Sequence, residues 1–117
     1  MRVKLIGSRT EQKYRTELLA SREKWFGERS DSLLKQILLS KGYDATKAIV
    51  IGWTPDQCED IFSVLILPDQ VISVEIDRVD DSVEPIIETG SLESWLRGLT
   101  QIGQIKLAVA LDILNNP

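Results

Sequence analysis

Ile61-Phe62-Ser63-Val64-Leu65-Ile66-Leu67, Pro68-Asp69-Gln70 and Val71-Ile72-Ser73-Val74-Glu75-Ile76-Asp77 together decide the fold. Two apolar runs rich in β-branched residues flank a short segment that opens with proline, whose fixed φ suits a turn. The pattern predicts a β-hairpin. The returning strand alternates strictly, so Ile72, Val74 and Ile76 are expected to face a core and Ser73, Glu75 and Asp77 to face outward. Two carboxylates then share one face of one strand.

Working back from the hairpin, Ala48-Ile49-Val50-Ile51 reads as a buried strand closed by Gly52, with Trp53 at its end. Thr54-Pro55-Asp56-Gln57 fits a capping box with proline at the first helical position, which predicts a helical turn from about Pro55 to Asp60. Asp56, Glu59 and Asp60 would lie close together on that short exposed element. Further upstream, Ser8 and Glu11 form a capping-box pattern, and a helix from about Thr10 carries Tyr14, Leu18, Leu19, Arg22, Trp25 and Phe26 at helical spacing. After Gly27, Ser30 or Asp31 is the expected cap of a second helix bearing Leu33, Leu34, Ile37 and Leu38 and closing at Gly42. Val3, Leu5 and Gly7 suggest a short opening strand.

Downstream, Val83, Pro85, Ile86 and Ile87 read as an edge strand, because proline is tolerated there but not in a central strand. Ser91 can cap a helix through Leu92, Trp95, Leu96 and Leu99, and after Gly103 a final, nearly all-round apolar helix runs from Ile105 to Leu114. Trp25 and Trp95 fall on apolar stripes and are expected in the core, whereas Trp53 is the candidate surface anchor. The element order predicts an α+β fold: a small, mainly antiparallel sheet with helices packed on one face, in a single domain over residues 1–117.

Charge is divided along the chain. The net charge of −4 combines eleven basic and six acidic side chains up to Ala48 with three basic and twelve acidic ones from Ile49 onward. No cation lies between Lys47 and Arg78. If the carboxylates of that region share a surface, their field attracts basic partners and repels nucleic acid, so direct nucleic-acid binding is not expected. The ordinary alternative is that the two halves neutralise each other through ion pairs. No apolar run reaches the roughly 20 residues of a membrane-spanning helix, and the opening residues lack the apolar core of a signal peptide. A cytoplasmic protein without membrane contact is expected.

The chain has no histidine, which removes Ser-His-Asp and Cys-His catalysis and most zinc sites. Cys58 is the only cysteine, so no intrachain disulfide can form, and packing as a free thiol is its expected role. No glycine-rich phosphate loop or nucleophile elbow is present. Pro68-Asp69 followed by Glu75-Ile76-Asp77 resembles the PD-(D/E)xK nucleases in outline, but Asp77 stands where that motif has lysine, leaving the attacking water without its usual partner. No enzymatic activity and no cofactor are expected. Two other readings remain: Glu75, Asp77 and an acid from Asp56 to Asp60 could hold Mg²⁺ or Ca²⁺, or the apolar C-terminal helix could join subunits of a homo-oligomer.

Trp53-Thr-Pro-Asp-Gln-Cys-Glu-Asp-Ile-Phe-Ser-Val-Leu-Ile-Leu-Pro-Asp-Gln-Val-Ile-Ser-Val-Glu-Ile-Asp-Arg78, with the tail Gln104-Ile-Lys-Leu-Ala-Val-Ala-Leu-Asp112, is similar to immunity proteins of bacterial contact-dependent growth inhibition and related polymorphic toxin systems. That resemblance covers about a third of the chain. It implies a cytoplasmic protein that binds a cognate toxin domain, often a nuclease, and blocks its active site; a nuclease with a basic substrate cleft would suit an acidic surface. Asp56, Glu59, Asp60, Glu75 and Asp77 are the expected contact residues, with Trp53 as apolar anchor and Asp69, Asp80 and Asp81 on the rim.

Overall fold

The computed structural model describes residues 4–116. Its elements run α1 (Arg9–Phe26), α2 (Leu33–Ser40), a 3-10 turn (Ala45–Lys47), β1 (Ala48–Pro55), β2 (Glu59–Ile66), β3 (Gln70–Asp77), β4 (Ile86–Ser91), α3 (Leu92–Leu96) and α4 (Gln101–Asn115). The strands form one antiparallel sheet in the order β1-β2-β3-β4. This is the expected α+β class, and the central hairpin lies where the sequence puts it.

The helices are placed differently. Alternate strand residues enter two separate cores, because both faces of the sheet carry apolar side chains. Ala48, Val50, Phe62, Val64, Ile66, Ile72, Val74 and Ile76 pack with Phe26 and with Leu34, Ile37 and Leu38 of α2. Ile49, Leu65 and Val71 pack on the opposite face against Leu18 and against Leu107, Val109, Ala110 and Ile113 of α4. Helices therefore flank both faces rather than one. The all-round apolar character of α4 is used within this second core, where Leu107 to Ala110 are buried. The second face is covered over only half its length, since beyond the Ile49–Leu65–Val71 row its residues Ile61, Ser63, Ser73 and Glu75 are partly exposed. The α2 side is thus a covered face, and the uncovered half of the other side is an open face.

Local capping follows the sequence at Ser8 and Ser91 and departs from it at the starts of α2 and α4. Ser8 Oγ accepts the Glu11 N–H at 3.2 Å, and the Glu11 carboxylate accepts N–H bonds from Ile6, Gly7 and Ser8 at 2.9, 3.2 and 2.8 Å. These N–H groups are thus taken up by the cap, which is why Leu5 to Gly7 form no strand; Val3 of the expected opening strand lies outside the described residues. The amide bonds and the Ser8 hydroxyl hold the Glu11 carboxyl below the usual carboxylate range, the Ser8 amide contributing most. Ser32, rather than Ser30 or Asp31, caps α2 through the Lys35 N–H, while Ser30 Oγ bonds back to the Lys24 and Trp25 carbonyls. Thr100 caps α4 through Gly103, so that glycine lies inside the helix rather than before it.

The expected helical turn at Pro55–Asp60 is a strand pair. β1 continues past Gly52, with a bulge between Val50 and Gly52, and pairs Trp53 with Phe62, Thr54 with Ile61 and Pro55 with Asp60. The Asp56 N–H reaches the Glu59 carbonyl at 2.7 Å to close the hairpin. Ladder hydrogen bonds supplied by β2 satisfy more backbone groups than a single capped turn can, and proline is accommodated at the end of an edge strand. Cys58 is exposed at this turn instead of packed. Trp95 is also partly exposed, because α3 is only five residues long and presents it at the surface.

Two outcomes test this arrangement. Leu65→Ala, under α4, is expected to cost about 2–5 kcal/mol of unfolding free energy by urea titration, and Ile61→Ala, on the open half of the same face, less than about half as much. A group whose pKa is lowered by folding stabilises above its unfolded pKa, so the Glu11 contribution is present at neutral pH and is lost as the pH falls through its folded value. Glu11→Gln is expected to lower Tm at pH 7 and to flatten the acid limb of the stability curve.

Candidate functional site

Antiparallel register brings the acidic residues of the hairpins to one end of the sheet. Glu59 stands directly opposite Asp77, Ile61 opposite Glu75, and Ser73 opposite Glu88 of β4. With a two-residue repeat, Glu59, Asp77, Glu75 and Glu88 all project from the open face, on a platform whose other members include Thr54, Ser63 and Ser73. None of the four carboxylates has a basic side chain within 4.0 Å among the described residues. Like charges directly opposite or diagonal on one sheet face destabilise it. Acidic residues that guard a sheet against edge pairing are common, and Glu88 on edge strand β4 fits that role. Glu59, Glu75 and Asp77 lie on the two central strands, where no edge needs guarding.

The alternation that gathers these three separates them from Asp60. Its side chain lies on the covered face, where Oδ1 accepts the Trp53 indole N–H at 3.0 Å and approaches Arg78 Nε at 3.6 Å. Trp53 stacks 6.3 Å from Phe62 and meets Trp25 edge-on at 5.9 Å, and Trp25 meets Phe62 edge-on at 4.9 Å. Trp53 nevertheless remains 48% exposed. Asp56 occupies the β1–β2 turn, where its carboxylate accepts the Gln57 N–H and its carbonyl accepts from Arg78. Asp77 Oδ1 accepts the Val79 and Asp80 N–H groups at 2.8 and 2.9 Å, which fixes the chain as it leaves β3.

All six residues singled out in the sequence therefore sit at the same end of the sheet, divided between two faces and a turn. Sequence reading missed three neighbours. Glu88 was hidden because the adjacent Ile86 and Ile87 obscure the phase of β4. Trp25 read as core, but it is only partly buried and joins Trp53 and Phe62. Lys24 follows from neither charge nor periodicity, yet its Nζ lies 4.8 Å from the Trp25 ring and 5.3 Å from the Trp53 ring, a cation–π arrangement. Asp80, expected on the rim, has its carboxyl held below the usual range by the Ser82 hydroxyl and amide, so it organises its own loop.

Of the ion pairs among the described residues, only Arg15–Asp112, at 2.7 Å, joins the basic first part of the chain to the acidic remainder. The two parts thus do not neutralise each other through a network of pairs. Among the described residues no three His, Cys, Asp or Glu side chains gather closely enough to hold a metal ion, so the alternative reading of Glu75, Asp77 and an acid from Asp56 to Asp60 as Mg²⁺ or Ca²⁺ ligands finds no assembled cluster. No described helix is long and apolar enough to cross a membrane.

No protein-family model matches the chain, and neither a curated protein nor a solved structure matches it significantly. If the open face carries uncompensated repulsion, neutralising it should stabilise the protein. Glu59→Gln and Glu75→Gln are each expected to raise the unfolding free energy by about 0.2–1 kcal/mol in low salt, with the gain shrinking in high salt as screening takes over. Urea titration at two ionic strengths reads the difference.

Proposed function

We propose that this protein is a cytoplasmic immunity protein that binds a cognate bacterial toxin domain with a basic surface, such as a nuclease, and neutralises it. The observation that carries this reading is the trio Glu59, Glu75 and Asp77: carboxylates on the two central strands, without basic partners among the described residues, on the half of a sheet face that no helix covers. A protein retains side chains that weaken its own sheet where another molecule makes use of them. A partner bearing lysines and arginines would supply the missing countercharges and accelerate encounter. Toxic nucleases hold their phosphate-rich substrate in basic clefts, and a carboxylate-studded platform offers such a cleft a similar pattern of negative charge.

Trp53 adds the apolar component. It lies at the same end of the sheet, half-exposed, in a position suited to anchor the edge of an interface whose centre is polar. The proposed role is binding, and no residue is assigned a chemical step. The metal reading lacks a ligand cluster among the described residues, and the oligomer reading loses its main surface because α4 packs into the protein's own core.

The test is capture of the toxin from the producing bacterium by the native protein and by Glu75→Lys/Asp77→Lys, followed by assay of the purified toxin with each. The native protein is expected to retain and inhibit one toxin domain, with association slowed on the order of tenfold between low and physiological salt. The double variant should lose most of that rate. Capture by both forms alike, or an association rate indifferent to salt, would rule out the acidic face as the binding surface.

A further inference from the structure

The covered face carries a second feature at the same end of the sheet. Between the start of α2 and the ends of β2 and β3 lies a groove of about 220 Å³, floored by Trp25, Leu33, Phe62 and Ile76. Leu33 is 52% exposed although it opens an apolar helix, so this floor is not closed by the protein itself. The walls are charged: Asp60, Asp77 and Asp81 line the groove beside a single cation, Arg78. Asp60 uses Oδ1 for Trp53 and Arg78, while Oδ2 has no hydrogen-bond partner among the described residues, and neither has the Asp81 carboxylate.

We propose that this groove is the anchor site for one arginine side chain of a partner protein. An apolar occupant would remove water from the Asp60 and Asp81 oxygens and leave them without donors, a cost that offsets the benefit of covering the apolar floor. An arginine satisfies both parts of the groove. Its methylene stem covers Leu33 and Ile76, its planar guanidinium lies against Trp25, and its forked N–H groups reach carboxylate oxygens. Lysine matches this less well, because its compact ammonium, though attracted to a ring face, has neither a planar surface to lie flat on it nor a fork of fixed geometry for carboxylates. The aromatic cluster already attracts a cation, since Lys24 Nζ stands over both Trp25 and Trp53. The volume suits a single long side chain.

The inference deepens the proposed function and rests on it for the identity of the partner, while the arginine preference itself rests on the groove. It is tested on the whole protein by following the three tryptophan indole N–H resonances during titration with N-acetylarginine amide. Saturable shifts of Trp25 and Trp53 are expected, with a Kd on the order of 1–10 mM, and Trp95, which lines a different pocket beside Leu99 and Leu107, serves as the internal control. N-acetylnorleucine amide, with a comparable stem and no charge, should bind much more weakly. Asp81→Asn and Leu33→Ser are exposed substitutions that leave the cores intact, and each should weaken arginine binding by about fivefold or more. Absence of a saturable shift, equal binding of norleucine amide, or unchanged binding in both variants overturns the proposal. Arginine binding without toxin capture would leave the groove assigned and remove the toxin reading, whereas toxin capture without arginine binding would do the reverse.

Discussion

The register of β2 on β3 places nearly everything else. Pairing runs from Glu59 opposite Asp77 to Ile66 opposite Gln70 without interruption. A slip of one residue would exchange the two faces of one strand. Phe62, Val64 and Leu65 would then leave their cores, and Asp60 would change sides. Both cores oppose such a slip, because each takes alternate residues from the same strands. The partition of carboxylates between open and covered faces is therefore fixed by the burial of the apolar residues between them, and no direct contact among the acids is needed to hold it.

This also explains what could be read from the sequence. Alternation over Val71 to Asp77 identifies the hairpin and the shared face of Glu75 and Asp77 because those signals are local. The capping-box pattern at Ser8 and Glu11 is equally local and is found as expected. The same pattern at Thr54 to Gln57 misleads, because the fate of that segment depends on a ladder to Asp60, Ile61 and Phe62 that no local pattern reveals. Val71 shows the same limit from the other side. Its apolar character fits either face, and only the arrival of α4 from the far end of the chain shows that the second face is a core as well.

The candidate site was legible in composition and less so in geometry. Asp56, Glu59 and Asp60 are neighbours in the chain, and a helical turn would have clustered them. In a strand, successive residues point to opposite faces, so Glu59 joins Asp77 while Asp60 joins Trp53 and Arg78. One acidic surface expected from charge alone thus becomes two chemically different ones. The open face has carboxylates on a platform of serine and threonine, whereas the covered face has an aromatic and aliphatic floor with carboxylates at its margin.

Back-to-back placement of these surfaces constrains any partner that uses both. The two surfaces lie on opposite faces at the same end of the sheet, and the Asp56–Cys58 turn with the chain leaving Asp77 forms the rim between them. A partner contacting both must therefore curve around that rim, which favours a concave surface over a flat one. A basic cleft has that shape. Its walls could meet the open-face carboxylates on one side and send an arginine into the groove on the other, with Trp53 and Arg78 near the margin. Because strand alternation divides the acids, a single short sheet end presents carboxylates on both of its faces. A flat basic surface could engage only one of them, leaving either the central-strand carboxylates without countercharges or Asp60 Oδ2 and Asp81 without donors.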